Sequence, residues 1–131
     1  MSKNASQGKS GPSQRQLRVG ELIRRTLSEV LSRGDVHDPE IARMMITVGE
    51  VRVSPDLRVA TAYVLPLGGH NRDEALAALR RNTAEIRHLV VKGMTIKFAP
   101  ELRFEIDHTY DRIEETKRMF AQPSVRQDLD D

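Results

Sequence analysis

"VGEVRVSPDLRVATAYV", residues 48–64, decides the fold. Val51 and Val53 alternate with Glu50 and Arg52, the period-2 pattern of a strand with one apolar face. A strand is therefore expected from Met44 to Val53, with Gly49 marking a bulge. "LRVATAYVL" (57–65) gives a second strand. Between them stands Ser54-Pro55-Asp56. Proline presets φ for the first corner of a type I turn, and Ser and Asp side chains bond to nearby backbone N–H groups. A three-residue corner between strands makes a hairpin. Glu50 and Asp56 also raise the question of a carboxylate pair. Acid–base work needs an enclosed site that shifts one pKa. A hairpin corner has no such enclosure, so Asp56 is assigned to the turn and Glu50 to the outer strand face.

Upstream, "SQRQLRVGELIRRTLSEVLSRG" (13–34) places Val19, Leu22, Ile23, Leu27, Val30 and Leu31 at helical spacing. Ser13 caps this helix and Gly34 stops it. Gly20 costs about 1 kcal/mol against Ala inside a helix, so it reads as a point where another element comes close. "DVHDPEI" (35–41) reads as a polar connection. Downstream, residues 66–93 give a loop and a long helix, capped by Asn71 with Glu74 three residues on and stopped by Gly93. Its stripe is Leu76, Leu79, Thr83, Ile86 and Val90. "MTIKFAPELRFEID" (94–107) gives a third strand, with Met94, Ile96, Phe98, Leu102, Phe104 and Ile106 on one parity. Pro100 cannot donate to a ladder and belongs at an edge or bulge. A short last helix runs from Tyr110 to Phe120, with Ile113, Lys117 and Phe120 facing inward. Small Ala60 and Ala62 let a helix pack close to the second strand. The class is α+β: a three-stranded sheet with the two main helices on one face. Residues 14–120 form one domain, and the polar tails 1–13 and 121–131 are expected to be disordered.

The 131 residues include no cysteine, which excludes a disulfide frame, a zinc knuckle and thiolate catalysis and fits a reducing compartment. No apolar run is long enough to span a bilayer, and the first residues lack an apolar signal core. A cytoplasmic protein is expected. His37, His70, His88 and His108 are scattered without i, i+4 pairing, so no metal or cofactor is expected. Nucleophile-elbow and phosphate-loop motifs are missing. Gly68-Gly69 before a helix start is open to two readings, an anion site on backbone N–H groups or a plain turn. Glu101, Glu105 and Asp107 alternate on one strand face, where like charges are solvated.

Net charge is only +2, but it is uneven. Residues 14–34 carry +3 and 72–93 carry +2, against −3 for 35–56 and −2 for 109–131. Two basic helical stretches suggest a side that faces a polyanion; the competing reading is a pair of solvated faces. On the long helix Arg80, Arg81, Arg87, His88 and Lys92 stand beside Asn82 and Thr83. Such side chains match phosphate and 2′-hydroxyl groups. Arg15, Arg18, Arg24 and Arg25 extend the footprint along the first helix, some of them free to pair with Glu21 and Glu29. The aromatics are Tyr63, Phe98, Phe104, Tyr110 and Phe120, most of them core candidates. They leave no stacking platform for bases, so an RNA ligand would be held by backbone and shape.

Three blocks in chain order resemble one family. "VGEVRVSPDLRVATAYV" is similar to the strand-turn-strand signature of bacterial ribosome-binding factor A. "LRVGELIRRTLSEVL" resembles its first helix, and "IRHLVVKGMTIKFAPELRFEID" (86–107) its helix-to-strand segment. The resemblance runs from about Arg15 to Phe120. It implies a KH-type domain of the second topology, α-β-β-α-β, with a short C-terminal helix added. It implies a non-enzymatic factor that binds the small (30S) ribosomal subunit and its 16S rRNA late in assembly. Support of rRNA 5′-end maturation and of growth in the cold goes with it, as does a monomer off the ribosome. The family replaces the G-x-x-G loop of KH domains by an Ala-x-Gly kink. The aligned residues here are Asn82-Thr83-Ala84, which lack the glycine; an interruption near Asn82 is still expected, because Asn and Thr side chains compete for backbone bonds. The interface expected from the residues is thus Arg80, Arg81, Asn82, Thr83, Arg87 and Lys92 with Arg15, Arg18, Arg24 and Arg25. Two other functions stay in view: a protein-binding module using the acidic segment 35–56 or the C-terminal tail, and a small hydrolase or nuclease.

Overall fold

The computed structural model describes residues 11–95 and 99–121. Helix α1 (Gln14–Arg33) opens on a capping box. Ser13 Oγ accepts from the Gln16 N–H at 3.1 Å, and Gln16 Oε1 accepts from the Ser13 N–H at 2.8 Å. Gly34 closes it in the left-handed region at φ 70°. Gly20, Ile23, Leu27, Val30 and Leu31 form its buried stripe.

The connection after α1 is more than polar loop, which corrects the reading from sequence. It contains a short helix, α2 (Pro39–Met44), whose N-cap Asp38 accepts from the Glu40 N–H at 3.0 Å. The signal was present: Asp-Pro-Glu supplies a cap, a proline at the first helical position and an acid in the first turn. Met45, at φ 47°, ends α2, so strand β1 is Thr47–Val53 and does not reach back to Met44.

β1 pairs antiparallel with β2 (Val59–Leu65), and the register shifts between Val48 and Glu50. That bulge at Gly49 moves the inward parity from Val48 to Val51 and Val53. The corner joining the strands spans residues 54–58, two residues longer than expected. Asp56 holds it, accepting from Ser54 Oγ at 2.7 Å and from the Arg58 N–H at 3.1 Å.

After a 3-10 turn (Leu67–Gly69) come α3 (Arg72–Arg81) and α4 (Thr83–Lys92), separated at Asn82 with φ −106° and ψ 17°. The expected interruption is there. Asn71 is not the expected side-chain cap: its backbone is left-handed, and its side chain makes no capping bond. A capping side chain needs an extended backbone at that position. Strand β3 (Glu101–Ile106) lies parallel to β2, giving the order β1-β2-β3. It starts only after Pro100, which lacks the N–H a ladder needs; Ile96 and Phe98 of the longer strand read from sequence lie outside the described residues.

α1, α3 and α4 cover one face of the sheet. Ala60, Ala62 and Val64 of β2 are fully buried beneath them, with Leu102 and Phe104 of β3 alongside. Taking α3 and α4 as one broken helix, the order is the KH-type second topology. The last helix, α5 (Thr109–Ala121), departs from expectation. None of its residues is buried; Ile113 is 49% and Phe120 58% exposed. The periodicity is helical, but α1, α3 and α4 already fill the apolar face of the sheet. Of the two tails, only residues 11–13 and Ala121 are described, and Ser13 and Ala121 belong to helix ends.

Candidate nucleic-acid interface

The cations marked out by sequence divide into those already engaged and those that are not. Arg80 serves the outer edge of β3, and Arg87 the segment that leads into it. Arg80 Nη2 donates to Phe104 O at 3.0 Å, and Glu105 lies 3.7 Å away. Arg87 Nε donates to Pro100 O at 3.1 Å and its Nη2 to Ala99 O at 2.7 Å. An open strand edge leaves carbonyls unpaired, and a guanidinium with five N–H donors can cover them while keeping donors for a second partner. On β1, Gln16 Nε2 does the same for Val53 O at 2.8 Å.

Arg81 is neutralised. Its Nη2 donates to Asp38 Oδ2 at 2.9 Å and to Glu40 Oε2 at 3.1 Å. Asn82 and Thr83 close the end of α3. Asn82 Nδ2 donates to Ala78 O and to Asp38 Oδ2, both at 2.8 Å, and Thr83 Oγ1 donates to Leu79 O and Arg80 O. Hydrogen bonds from Arg81, Asn82 and the Glu40 N–H hold the Asp38 carboxyl below its ordinary pKa. Arg24 is also engaged, on Glu21, whose carboxyl it pulls down. Arg33, not singled out from sequence, pairs with Glu29 at 2.7 Å.

Arg15, Arg18, Arg25 and Lys92 are exposed and make no hydrogen bond or ion pair with any other described residue. Arg18 and Arg25 stand seven residues apart, two helical turns, and so share one side of α1 about 10 Å apart. Arg15 lies one turn before Arg18. Lys92 ends α4 where it meets α1: a Cβ on Gly93 would come within 3.0 Å of Thr26 Cγ2. Lys92 and Thr26 line a groove of about 560 Å³ with Glu29, Arg33, Asp35 and Leu89. Of the cations marked out by sequence, those left unengaged therefore lie along α1 and at the end of α4 rather than at the break at Asn82; Arg43 on α2 and Arg112 and Arg118 on α5 are also exposed and without a partner among the described residues. Sequence missed Asp38 and Glu40 as partners of Arg81. The acidity of 35–56 was visible, but a contact across more than forty residues leaves no local pattern.

Among the described residues no group of three or more His, Asp or Glu could hold a metal ion. No described helix is long and apolar enough to cross a membrane. A family model described as ribosome-binding factor A matches residues 15–120. The chain belongs to the ribosome-binding factor A family. It is 66% identical over 130 residues to ribosome-binding factor A of Paracoccus denitrificans, covering 99% of this chain and 94% of the relative. The fold agrees with solved members. A solution structure from Thermotoga maritima, named as a putative ribosome-binding factor A, is 29% identical with TM-score 0.61, covering 75% of this chain and 92% of that one. Coordinates of the Thermus thermophilus ribosome-binding factor A, a homology model fitted into a cryo-electron microscopy map of its complex with the 30S subunit, are 25% identical with TM-score 0.58. They cover 70% of this chain and 94% of that one.

Proposed function

We propose that this chain is a non-enzymatic assembly factor of the cytoplasm that binds the small ribosomal subunit through its 16S rRNA during late maturation and supports processing of the rRNA 5′ end. It acts as a monomer off the ribosome. Membership of the family and the Thermus relative's fit into a 30S complex support the partner. One observation carries the site: Arg15, Arg18, Arg25 and Lys92 are exposed and unengaged among the described residues, whereas Arg24, Arg33 and Arg81 have carboxylate partners. Arg15, Arg18, Arg25 and Lys92 contact phosphates. Arg80 and Arg87 add what donors their bonds to Phe104 O, Pro100 O and Ala99 O leave them. Arg81, Asn82 and Thr83 hold the helix break, and Arg24 is spent on Glu21. No bond is made or broken; binding energy selects one arrangement of rRNA helices over another.

A protein-binding module built on the acidic segment 35–56 is the weaker reading, because Asp38 and Glu40 of that segment already pair with Arg81 inside the chain. The test is co-sedimentation with free small subunits, whole ribosomes and naked rRNA. Preference for free small subunits, weakened by Arg18→Ala with Arg25→Ala while the melting temperature holds, is the expected result. Equal binding to all three partners defeats the assembly reading. Turnover of rRNA by stringently purified protein with Mg²⁺ defeats the non-enzymatic one.

A further inference from the structure

The break between α3 and α4 contains neither proline nor glycine. Within the chain, Asn82 still follows helical hydrogen bonding: its N–H reaches Ala78 O and Leu79 O at 3.2 Å, and the Ile86 N–H reaches Asn82 O at 3.0 Å. Asn and Thr are poor helix formers, but they are tolerated in straight helices. Local sequence thus permits a bend at this point without fixing its angle. Something outside the helix must do so.

The segment His37–Glu40 lies against both sides of the break. Asp38 Oδ2 takes hydrogen bonds from Arg81, the last residue of α3, and from Asn82 at the break itself. Glu40 takes a second from Arg81. On the far side, Glu85 in the first turn of α4 accepts from the His37 N–H at 3.2 Å and meets His37 Nδ1. Asp38 is itself fixed, because its other oxygen caps α2. From these contacts we infer that Asp38 is a positioning residue: with its neighbours it braces α3 and α4 at one angle, doing with a side chain what a glycine kink does with backbone, and the subunit is bound at that angle. The binding half of this statement rests on the function proposed above.

The chain has no cysteine, so Ala77→Cys with His88→Cys, both exposed, places one spin label on each helix. Pulsed electron double resonance then reads the angle as a distance distribution. Asp38→Ser keeps a capping oxygen for α2 and removes the brace. Asp38→Asn keeps the shape and the cap but turns an NH₂ group toward two donors. Both variants are expected to broaden the distribution. With unlabelled protein, both are expected to weaken small-subunit binding by about three- to tenfold, in the lower part of the range for contacting residues. A role limited to general stability would lower the melting temperature and leave the distances unmoved. Distributions that superpose on that of the parent overturn the brace. Broad distributions with unchanged subunit affinity overturn its part in binding. If the unsubstituted protein does not sediment with small subunits, the function proposed above fails, and the distances alone still decide the brace.

Discussion

A methyl group at position 20 has nowhere to go: a Cβ there would stand 2.6 Å from Val51 O. The glycine was legible as a close approach because it sits on the buried stripe of a helix, where it is costly unless required. Gly20→Ala gains about 1 kcal/mol in helix propensity but forces α1 off β1. Overpacking of this kind costs about 1–3 kcal/mol, so the variant is expected to be less stable, by a lower urea midpoint at unchanged slope. Asp38 was not legible, because its partners Arg81 and Asn82 lie more than forty residues on. Its titration has a definite sign. Arg81 first, then Asn82 and the Glu40 N–H, lower its pKa in the fold, while Glu40, His37 and Glu85 are the titratable groups around it. The unfolded chain then binds more protons in acid. The contribution is fully present above the ordinary aspartate value of about 3.9 and is lost as pH falls through the folded value below it. Melting temperatures taken from about pH 5 to pH 2.5 are expected to fall less steeply for Asp38→Asn than for the parent. Equal slopes would show that Asp38 titrates alike in both states.

Elements were legible where their signals are periodic. The hairpin and α1 follow from alternation and a 3.6-residue stripe, and the bulge at Gly49 explains why the alternation around it changes parity. The short α2 was hidden because six residues are too few for a stripe; only its Asp-Pro-Glu start marks it. The placement of α5 failed for another reason. Periodicity reports that a helix has an apolar side, not that a surface waits for it. α5 is fastened at its first turn, where Asp111 receives Arg72 Nη1 at 2.6 Å and Nη2 at 2.8 Å. Arg72, then His108, hold the Asp111 carboxyl far below the ordinary range. Arg72→Ala is therefore expected to release α5 while the sheet stays intact. Hydrogen exchange should speed up across 109–121 and stay slow in β2. Protection retained in α5 would mean that contacts other than Arg72 hold it.

At the scale of the molecule, net charge is close to zero, so long-range attraction to RNA is weak and binding depends on where cations remain unengaged. The two basic stretches seen in sequence do meet, because α1 and α4 pack on the same sheet face. Which cations are spent internally could not be seen, since each pairing depends on the fold: Arg81 on Asp38, Arg80 on the edge of β3 and Arg87 on the carbonyls just before it. This sorting makes a quantitative prediction. Each phosphate contact releases counterions and adds about 0.7–0.9 to the slope of log affinity against log salt. Arg15, Arg18, Arg25 and Lys92 together contribute about −3 to that slope, so on tripling monovalent salt at fixed Mg²⁺ their contacts alone lower subunit affinity about thirtyfold. Arg18→Ala with Arg25→Ala removes about 1.5 from the slope, so the same change of salt then costs about fivefold less than in the parent. Arg81→Ala removes a cation that faces two carboxylates, so it should leave the slope nearly unchanged even if affinity falls through the helix break. A slope that drops as much for Arg81→Ala as for either α1 arginine would move the phosphate contacts back to the break and off the flank of α1.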